Sequence, residues 1–525
     1  MDFVSAEFIV FLAVLLAAYY LLPKRWQWPI LLIASIAFFM LDDWRNCIFI
    51  GITAATTYTS ALWMAQISRH YNTFLSNHKT VLDRQQKKLC KDKMQSQKRT
   101  VLLLGLIVNL GILAVTKYTN FIIDNISDLL NHELIRFEDL FIPIAISYYT
   151  FQSVSYIIDV YRDKQPAQRN FFKYLLFVCF FPQMVQGPIS RYEDLGNQLC
   201  AHHSFDGKTF SFGLMRFLWG YFKKMIIADR LVAAVIALAN SETYTGAYVL
   251  ITMLFYAFQL YCDFTGGIDI TIGIAQMLRI TLVENFNLPY FSKNIREYWN
   301  RWHITMGTWF TDYVFYPISV CKPMLKLSKW SRSHFGNAAG KRVTVYLSSL
   351  AVWLATGIWH GPAWNFVVWG LANWVVIMVS QELEPLYDKF HGRFHLKGKA
   401  PYEMFQVIRT IFLMSAIRLF DVYRNVPTTF RRIFSLFTAR NWSALWNGSL
   451  LKLGLGIHDY ALLAVCLVIV LGVSLVKVKR GSVRSLLYSR KPVFYAIMGV
   501  LFLSILIFGA YGIGFDSSGF IYNQF

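Results

Sequence analysis

Apolar runs recur along the whole chain, separated by short polar breaks. They lie near residues 6–22, 28–41, 46–67, 100–117, 141–158, 170–186, 212–227, 229–240, 246–263, 268–280, 303–320, 342–359, 362–380, 402–420, 459–476 and 492–513. A helix needs about 20 mostly apolar residues to cross a bilayer. Several of these runs are shorter and read as re-entrant or interfacial segments, which are tolerated where protein or a water cavity covers the backbone. The pattern predicts an all-α, polytopic integral membrane protein with eleven or more crossings, built as one membrane-embedded body over residues 1–525. The start, Met1 to Glu7, lacks the basic opening of a cleaved signal peptide, so the first run is expected to remain as a span.

The polar breaks carry the orientation. Arg69 to Arg99 holds nine Lys/Arg against Asp83 and Asp92, and reads as a basic cytoplasmic loop. Lys322 to Arg342 and Lys477 to Lys491 each hold six basic residues and no acid, and fall on the same side. The N-terminus is then external, as is the tail over 514–525. Lys117 to Leu140 is external too, and its apolar spacing suggests a helix lying on the surface. A mixed-charge stretch over 382–400 is expected at a membrane face.

Composition agrees: 56% of the 525 residues are hydrophobic and 15% charged, whereas soluble domains carry about 25% charge. The net charge of +21 fits basic loops facing anionic lipid rather than nucleic acid, because no polar domain offers a binding face. The seven cysteines are scattered without CxxC or Cys/His pairing, so no metal site is expected. There is no GxSxG elbow, P-loop, GxGxxG or HExxH, which disfavours a soluble-type hydrolase, an ATPase and a dinucleotide enzyme.

Polar residues inside spans are costly and mark functional candidates. They concentrate in a few places. The stretch 146–162 offers Gln152 on a helix with serines at spacings of three and four. The stretch 180–192, broken by two prolines and a glycine, offers Gln183 and Arg191. Asp263 and Asp269 flank a glycine pair, where capping or pairing with an arginine is favoured over cation binding. The stretch 296–312 reads as an amphipathic helix carrying Arg296, Trp299, Asn300 and His303. Last, Trp359, His360 and Asn365 sit in "TGIWHGPAWNF", where no charge occurs between Arg342 and Glu382. An imidazole so placed stays neutral, because desolvation disfavours its charged form, and a neutral imidazole accepts protons. Gly361 and Pro362 are expected to end the helix just after it. The residues alone leave His360 open between a packed core histidine and a catalytic base.

Seven segments taken in order, "FIVFLAVLLAAYYLLP", "IPIAISYYTFQSVSYIIDVYR", "FFPQMVQGPISRYEDL", "YCDFTGGIDITIG", "REYWNRWHITMGTWFTDYVFYPI", "TGIWHGPAWNFVVWGLAN" and the terminal "FIYNQF", resemble the membrane-bound O-acyltransferase family. The likeness is to its bacterial alginate and polysaccharide O-acetyltransferase branch, with the teichoic acid D-alanyl transferases as more distant cousins. The resemblance implies a helical bundle with a transmembrane tunnel, and acyl transfer to a hydroxyl. It implies acetyl-CoA as the donor substrate, no tightly bound cofactor, and an external SGNH-type acetyltransferase or similar relay protein acting on a cell-envelope polysaccharide. The family's histidine matches His360, as general base, and its second polar residue matches His303, to orient the donor or stabilise the oxyanion. Tyr522 in the tail is a possible acyl relay. A D-alanyl transferase using a carrier-protein donor is the alternative within the class. A transporter or non-catalytic scaffold is the alternative outside it, but the inverted repeats that a transporter would show are not seen.

Overall fold

The computed structural model describes residues 3–137 and 140–511. They are helical throughout, with a single isolated β-bridge, Phe286 to Trp302, among the described residues. The all-α, multi-pass expectation holds. Six described helices are long and apolar enough to cross a membrane, and a seventh is counted if the bent pair Trp364–Glu382 and Glu384–Phe394 is one span. The expectation of eleven or more crossings is not met by single helices. Ala6–Leu21, Gln27–Asp42 and Ile146–Tyr161 have 16 residues each, about 24 Å at 1.5 Å per residue against a hydrocarbon core of about 30 Å.

Several polar breaks do not break the chain. The basic stretch 69–99 is not a loop. Helix Trp44–Asn77 runs into it and helix Arg84–Leu130 runs out of it, joined by a tight turn. There Asp83 and Gln86 cap each other reciprocally, the carboxylate on the Gln86 N–H (2.7 Å) and the amide oxygen on the Asp83 N–H (3.1 Å). Nor is Lys117 to Leu130 a separate surface helix; it is the continuation of the same 47-residue helix. Lysine and arginine are good helix formers, so charge marked the membrane boundary here without ending the helix. Conversely, the run 303–320 is interrupted by a left-handed residue at His303, a π-helical turn at Thr311–Phe315 and Pro317.

The described residues of 3–213 with 274–283 form one compact unit, and those of 214–273 with 284–511 form a second. In the first, Tyr156, Tyr174 and Tyr192 pack together, with ring centroids of Tyr156 4.6 Å from Tyr174 and 5.0 Å from Tyr192. Their hydroxyls are tied off: Tyr174 to Thr57 at 2.8 Å, Tyr156 to the Gln168 N–H and Tyr192 to the Gln168 side chain, both at 2.7 Å. The buried Lys98 ammonium reaches Asp163 at 2.8 Å.

The expected runs 246–263 and 268–280 merge into one helix, Ala247–Met277, whose residues up to Gly273 belong to the second unit. The glycine pair does not cap it. A Cβ on Gly266 would stand 3.0 Å from the Gly220 carbonyl, and one on Gly220 would stand 2.6 Å from that of Gly266. The glycines therefore let two backbones touch. The partner backbone passes into a π-helical turn, Phe222–Ala228, carrying Lys223 and Lys224. Lys223 bonds Thr265 (2.8 Å) and Asp269 (2.6 Å), and Lys224 bonds Asp263 and Asp229, both at 2.7 Å. Arg216 joins Asp269 (2.7 Å) and Glu284 (2.6 Å). The aspartates flanking the glycines are thus ion-paired, Asp269 with an arginine as the sequence suggested and Asp263 with a lysine.

Breaking a buried pair costs about 3–5 kcal/mol because a charge is left uncompensated. Lys224→Met should therefore lower the detergent melting temperature sharply. Adding Asp263→Asn and Asp229→Asn should recover much of the loss, as read by thermal unfolding of the purified protein.

Candidate active site

The two histidines come from different local structures in the second unit. His360 is the last residue of helix Lys322–His360, which is kinked at Gly336 (φ +87°). Gly361 ends it and helix Trp364–Glu382 follows after three residues, so the expected break is present. The turn is tight: a Cβ on Gly361 would lie 2.5 Å from the Phe366 ring. That ring stacks on His360 at 6.2 Å, and Trp369 meets the imidazole edge at 4.6 Å.

His303 does not lie within a continuous helix over 296–312, as the sequence suggested. Helix Ile295–Arg301 ends, and His303 takes a left-handed conformation (φ +48°) before helix Ile304–Phe310. A non-glycine residue there carries local strain, of the kind that gathers at functional sites when the surroundings enforce it. The enforcing element is the segment from Asn285 to Asn287. The Asn285 carbonyl accepts from the Ile304 N–H (3.0 Å) and the Arg301 carbonyl from the Asn287 N–H (3.0 Å). The Asn285 side-chain oxygen accepts from the Thr305 N–H (3.1 Å) and hydroxyl (2.9 Å), and lies 3.3 Å from His303 Nδ1.

The indole of Trp359 joins the two. Its ring is 6.0 Å from that of His303 and 5.0 Å from that of His360. Both imidazoles are buried, His303 at 0% and His360 at 6% exposure. Phe264 closes the other side of His303 at 4.9 Å. His303 lies on a turn outside the crossing helices; burial first, and the charge of Arg418 second, hold its pKa well below the ordinary imidazole value.

Arg418 was missed by the sequence reading. Its guanidinium is buried and stacks on Trp369 (5.1 Å), Trp302 (5.2 Å) and Trp299 (5.7 Å), while Nη1 pairs with Asp421 at 3.1 Å. The signal was available: Arg418 and Asp421 stand three apart at the end of an apolar run. Asn285, Trp369 and Phe264 were also missed, and nothing in their local sequence announces them.

The other candidates divide. Trp299 packs on Trp353 and Trp369 at 4.9 and 5.8 Å. Asn365 donates to the Phe420 carbonyl at 3.0 Å. Buried polar atoms without a partner among the described residues include Trp299 Nε1, Trp369 Nε1, Asn285 Nδ2 and Asn365 Oδ1. Asn300 is exposed, and Arg296 lines a cavity of about 290 Å³ with Lys293, Lys397 and Arg409. Asp263 belongs to the ion-pair cluster with Lys224. Gln152, Gln183 and Arg191 lie in the first unit, where Gln152 donates to Gln183 at 3.2 Å and Gln183 to the Pro188 carbonyl at 2.9 Å. Tyr522 lies outside the described residues.

The family model of the membrane-bound O-acyltransferases matches residues 48–423, which include both histidines. The chain belongs to the membrane-bound O-acyltransferase family. By that membership it is an acyl-transferring membrane enzyme. The chain is 34% identical over 384 residues to the probable alginate O-acetylase AlgI of Azotobacter vinelandii, covering 72% of this chain and 68% of that one. It is 32% identical over 333 residues to the peptidoglycan O-acetyltransferase of Helicobacter pylori, 58% of this chain and 59% of the relative. With the teichoic acid D-alanyltransferase of Bacillus subtilis it shares 29% over 265 residues, 49% and 62% of the two chains. The matched part thus spans about six to seven tenths of these relatives.

Gly361→Ala tests the turn. The added methyl must displace the Phe366 ring from His360, an overpacking cost of about 1–3 kcal/mol. Acyl transfer should fall by more than the drop in melting temperature accounts for.

Proposed function

We propose that this enzyme moves an acetyl group from cytoplasmic acetyl-CoA through a tunnel in the membrane toward a hydroxyl of an extracellular cell-envelope polysaccharide. The observation that carries the reading is the convergence of His303 and His360 on one indole, in a buried site with polar atoms left for a substrate. The names of the alginate and peptidoglycan O-acetylating relatives support the acetyl group and the polymer class.

The chemistry follows from two neutral imidazoles. His360 removes the proton of the acceptor hydroxyl as its oxygen bonds to the thioester carbonyl carbon. The carbon–sulfur bond then breaks, and the proton passes to the departing thiolate, giving an ester and free CoA. General base assistance of this kind is worth about 10² to 10⁴-fold. His303 orients the reacting group beside it. In this reading the basic faces are cytoplasmic, both termini are external, and an SGNH-type acetyltransferase receives the acetyl group outside, either directly or from Tyr522. A D-alanyl transferase with a carrier-protein donor is the second reading, favoured by the Bacillus subtilis relative.

Labelled acetyl transfer from acetyl-CoA in membranes checks the proposal. His360→Ala should reduce labelling of envelope polymer by at least about 10²-fold at equal protein level. Equal labelling would sink the mechanism. Tyr522→Phe removes a hydroxyl and little else; polymer acetylation at the parent level would exclude the relay.

A further inference from the structure

We propose that the cavity bounded by Arg296, Glu384 and Arg409 binds the headgroup of a zwitterionic phospholipid, a phosphate that carries an ammonium arm.

The cavity measures about 290 Å³ and lies wholly in the second unit. Three helices meet there: the start of Ile295–Arg301, the end of Trp364–Glu382 and the first turns of Ala400–Tyr423. Helix Glu384–Phe394 closes it. That helix turns by 51° from Trp364–Glu382, as a helix does when it leaves the crossing direction for the membrane surface. Several charges in the walls are matched by protein. Lys293 pairs with Glu403 at 2.6 Å and Lys397 with Asp388 at 3.1 Å. Arg409 spends one nitrogen, Nη2, on the Lys293 carbonyl at 2.9 Å. The guanidiniums of Arg296 and Arg409 and the carboxylate of Glu384 have no ion-pair partner among the described residues.

That remainder selects the ligand. Guanidiniums grip phosphate oxygens through parallel N–H donors. A carboxylate beside them repels a further anion but accepts hydrogen bonds from an ammonium. One phosphate with one ammonium satisfies all three side chains. A glycerol headgroup, with no cation, leaves Glu384 facing the phosphate. The nucleotide end of CoA carries several negative charges and no ammonium, and meets both Glu384 and Asp388. The cavity is also at the small end of ligand sites, which suits a headgroup better than a nucleotide.

The surroundings give the acyl chains a place. On helix Glu384–Phe394 the cavity stripe is Glu384, Tyr387, Asp388 and His391, and the next face round carries exposed Leu386, Phe390 and Phe394. On helix Ala400–Tyr423 the cavity stripe of Tyr402, Gln406 and Arg409 is likewise flanked by exposed Met404, Phe405 and Ile408. A polar stripe beside an apolar face is the pattern of a helix at the headgroup boundary. Arg342 pairs with Glu382 at 2.9 Å, so the site stands level with the end of the basic stretch 322–342, cytoplasmic in the orientation proposed above. A bound headgroup braces the three helices that carry Trp299, Trp369 and Arg418.

Native mass spectrometry of the full chain tests this with phosphatidylethanolamine and phosphatidylglycerol of identical acyl chains. The parent should hold the ethanolamine lipid about tenfold more tightly, the factor that one hydrogen bond to a charged group supports. Arg296→Gln, at an exposed side chain with no ion pair to lose, should weaken that binding about tenfold at an unchanged melting temperature in detergent. Glu384→Gln should erase the preference between the two lipids. Equal affinity of the parent for both lipids would overturn the proposal, as would parent-like behaviour of either variant. Free CoA, added in a third arm, should not displace the ethanolamine lipid; displacement would assign the cavity to a nucleotide instead.

Discussion

The buried pairing of Arg418 with Asp421 is the contact on which the aromatic surroundings of His303 and His360 depend. A guanidinium in a low-dielectric interior must be matched by charge and by polarisable surface. Asp421 supplies the first, and the faces of Trp299, Trp302 and Trp369 supply the second. Those same indoles then wall the site: Trp302 precedes His303 in the chain, and Trp369 abuts His360. The cation therefore sets the positions of the aromatic rings that in turn hold both imidazoles. It also biases the chemistry, since a nearby positive charge disfavours a protonated histidine.

Both imidazoles are buried, and in such low-dielectric surroundings hydrogen bonds and dipoles act strongly. The strain at His303 is one cost of the arrangement. It is offset by the backbone bonds that Asn285 and Asn287 make across the turn. The ion-pair cluster around Asp263 and Asp269 works at one remove. By clamping the π-helical turn at Lys223 and Lys224 to helix Ala247–Met277, it fixes the helix from which Phe264 packs on His303.

The helical, membrane-embedded character was legible because it is local, and His360 stood out as a candidate for the same reason. Apolar runs report lipid directly, and a lone imidazole in 39 uncharged residues stands out without any knowledge of the fold. Segment order carried the family resemblance, which the match over 48–423 bears out. Helix boundaries were less legible. Charges at 69–99 and 117–130 looked like loop and surface helix, yet both stretches lie largely on the long helices Trp44–Asn77 and Arg84–Leu130. The glycine pair at 266–267 looked like a break, although what it permits is close packing against Gly220.

By itself the sequence determined the composition of the site: which residues are able to be neutral bases, where the chain must break after His360, and which side chains are too polar to face lipid. The tertiary structure alone decided what those residues do for one another. Asn285 is 18 residues from His303 and Arg418 is more than 100 away, so no periodicity links them. Only packing brings the amide oxygen to Nδ1 and the guanidinium to the indoles. The reason is physical: a hydrogen bond and a buried charge act over a few ångströms, and distance in space is what folding, not spacing along the chain, sets.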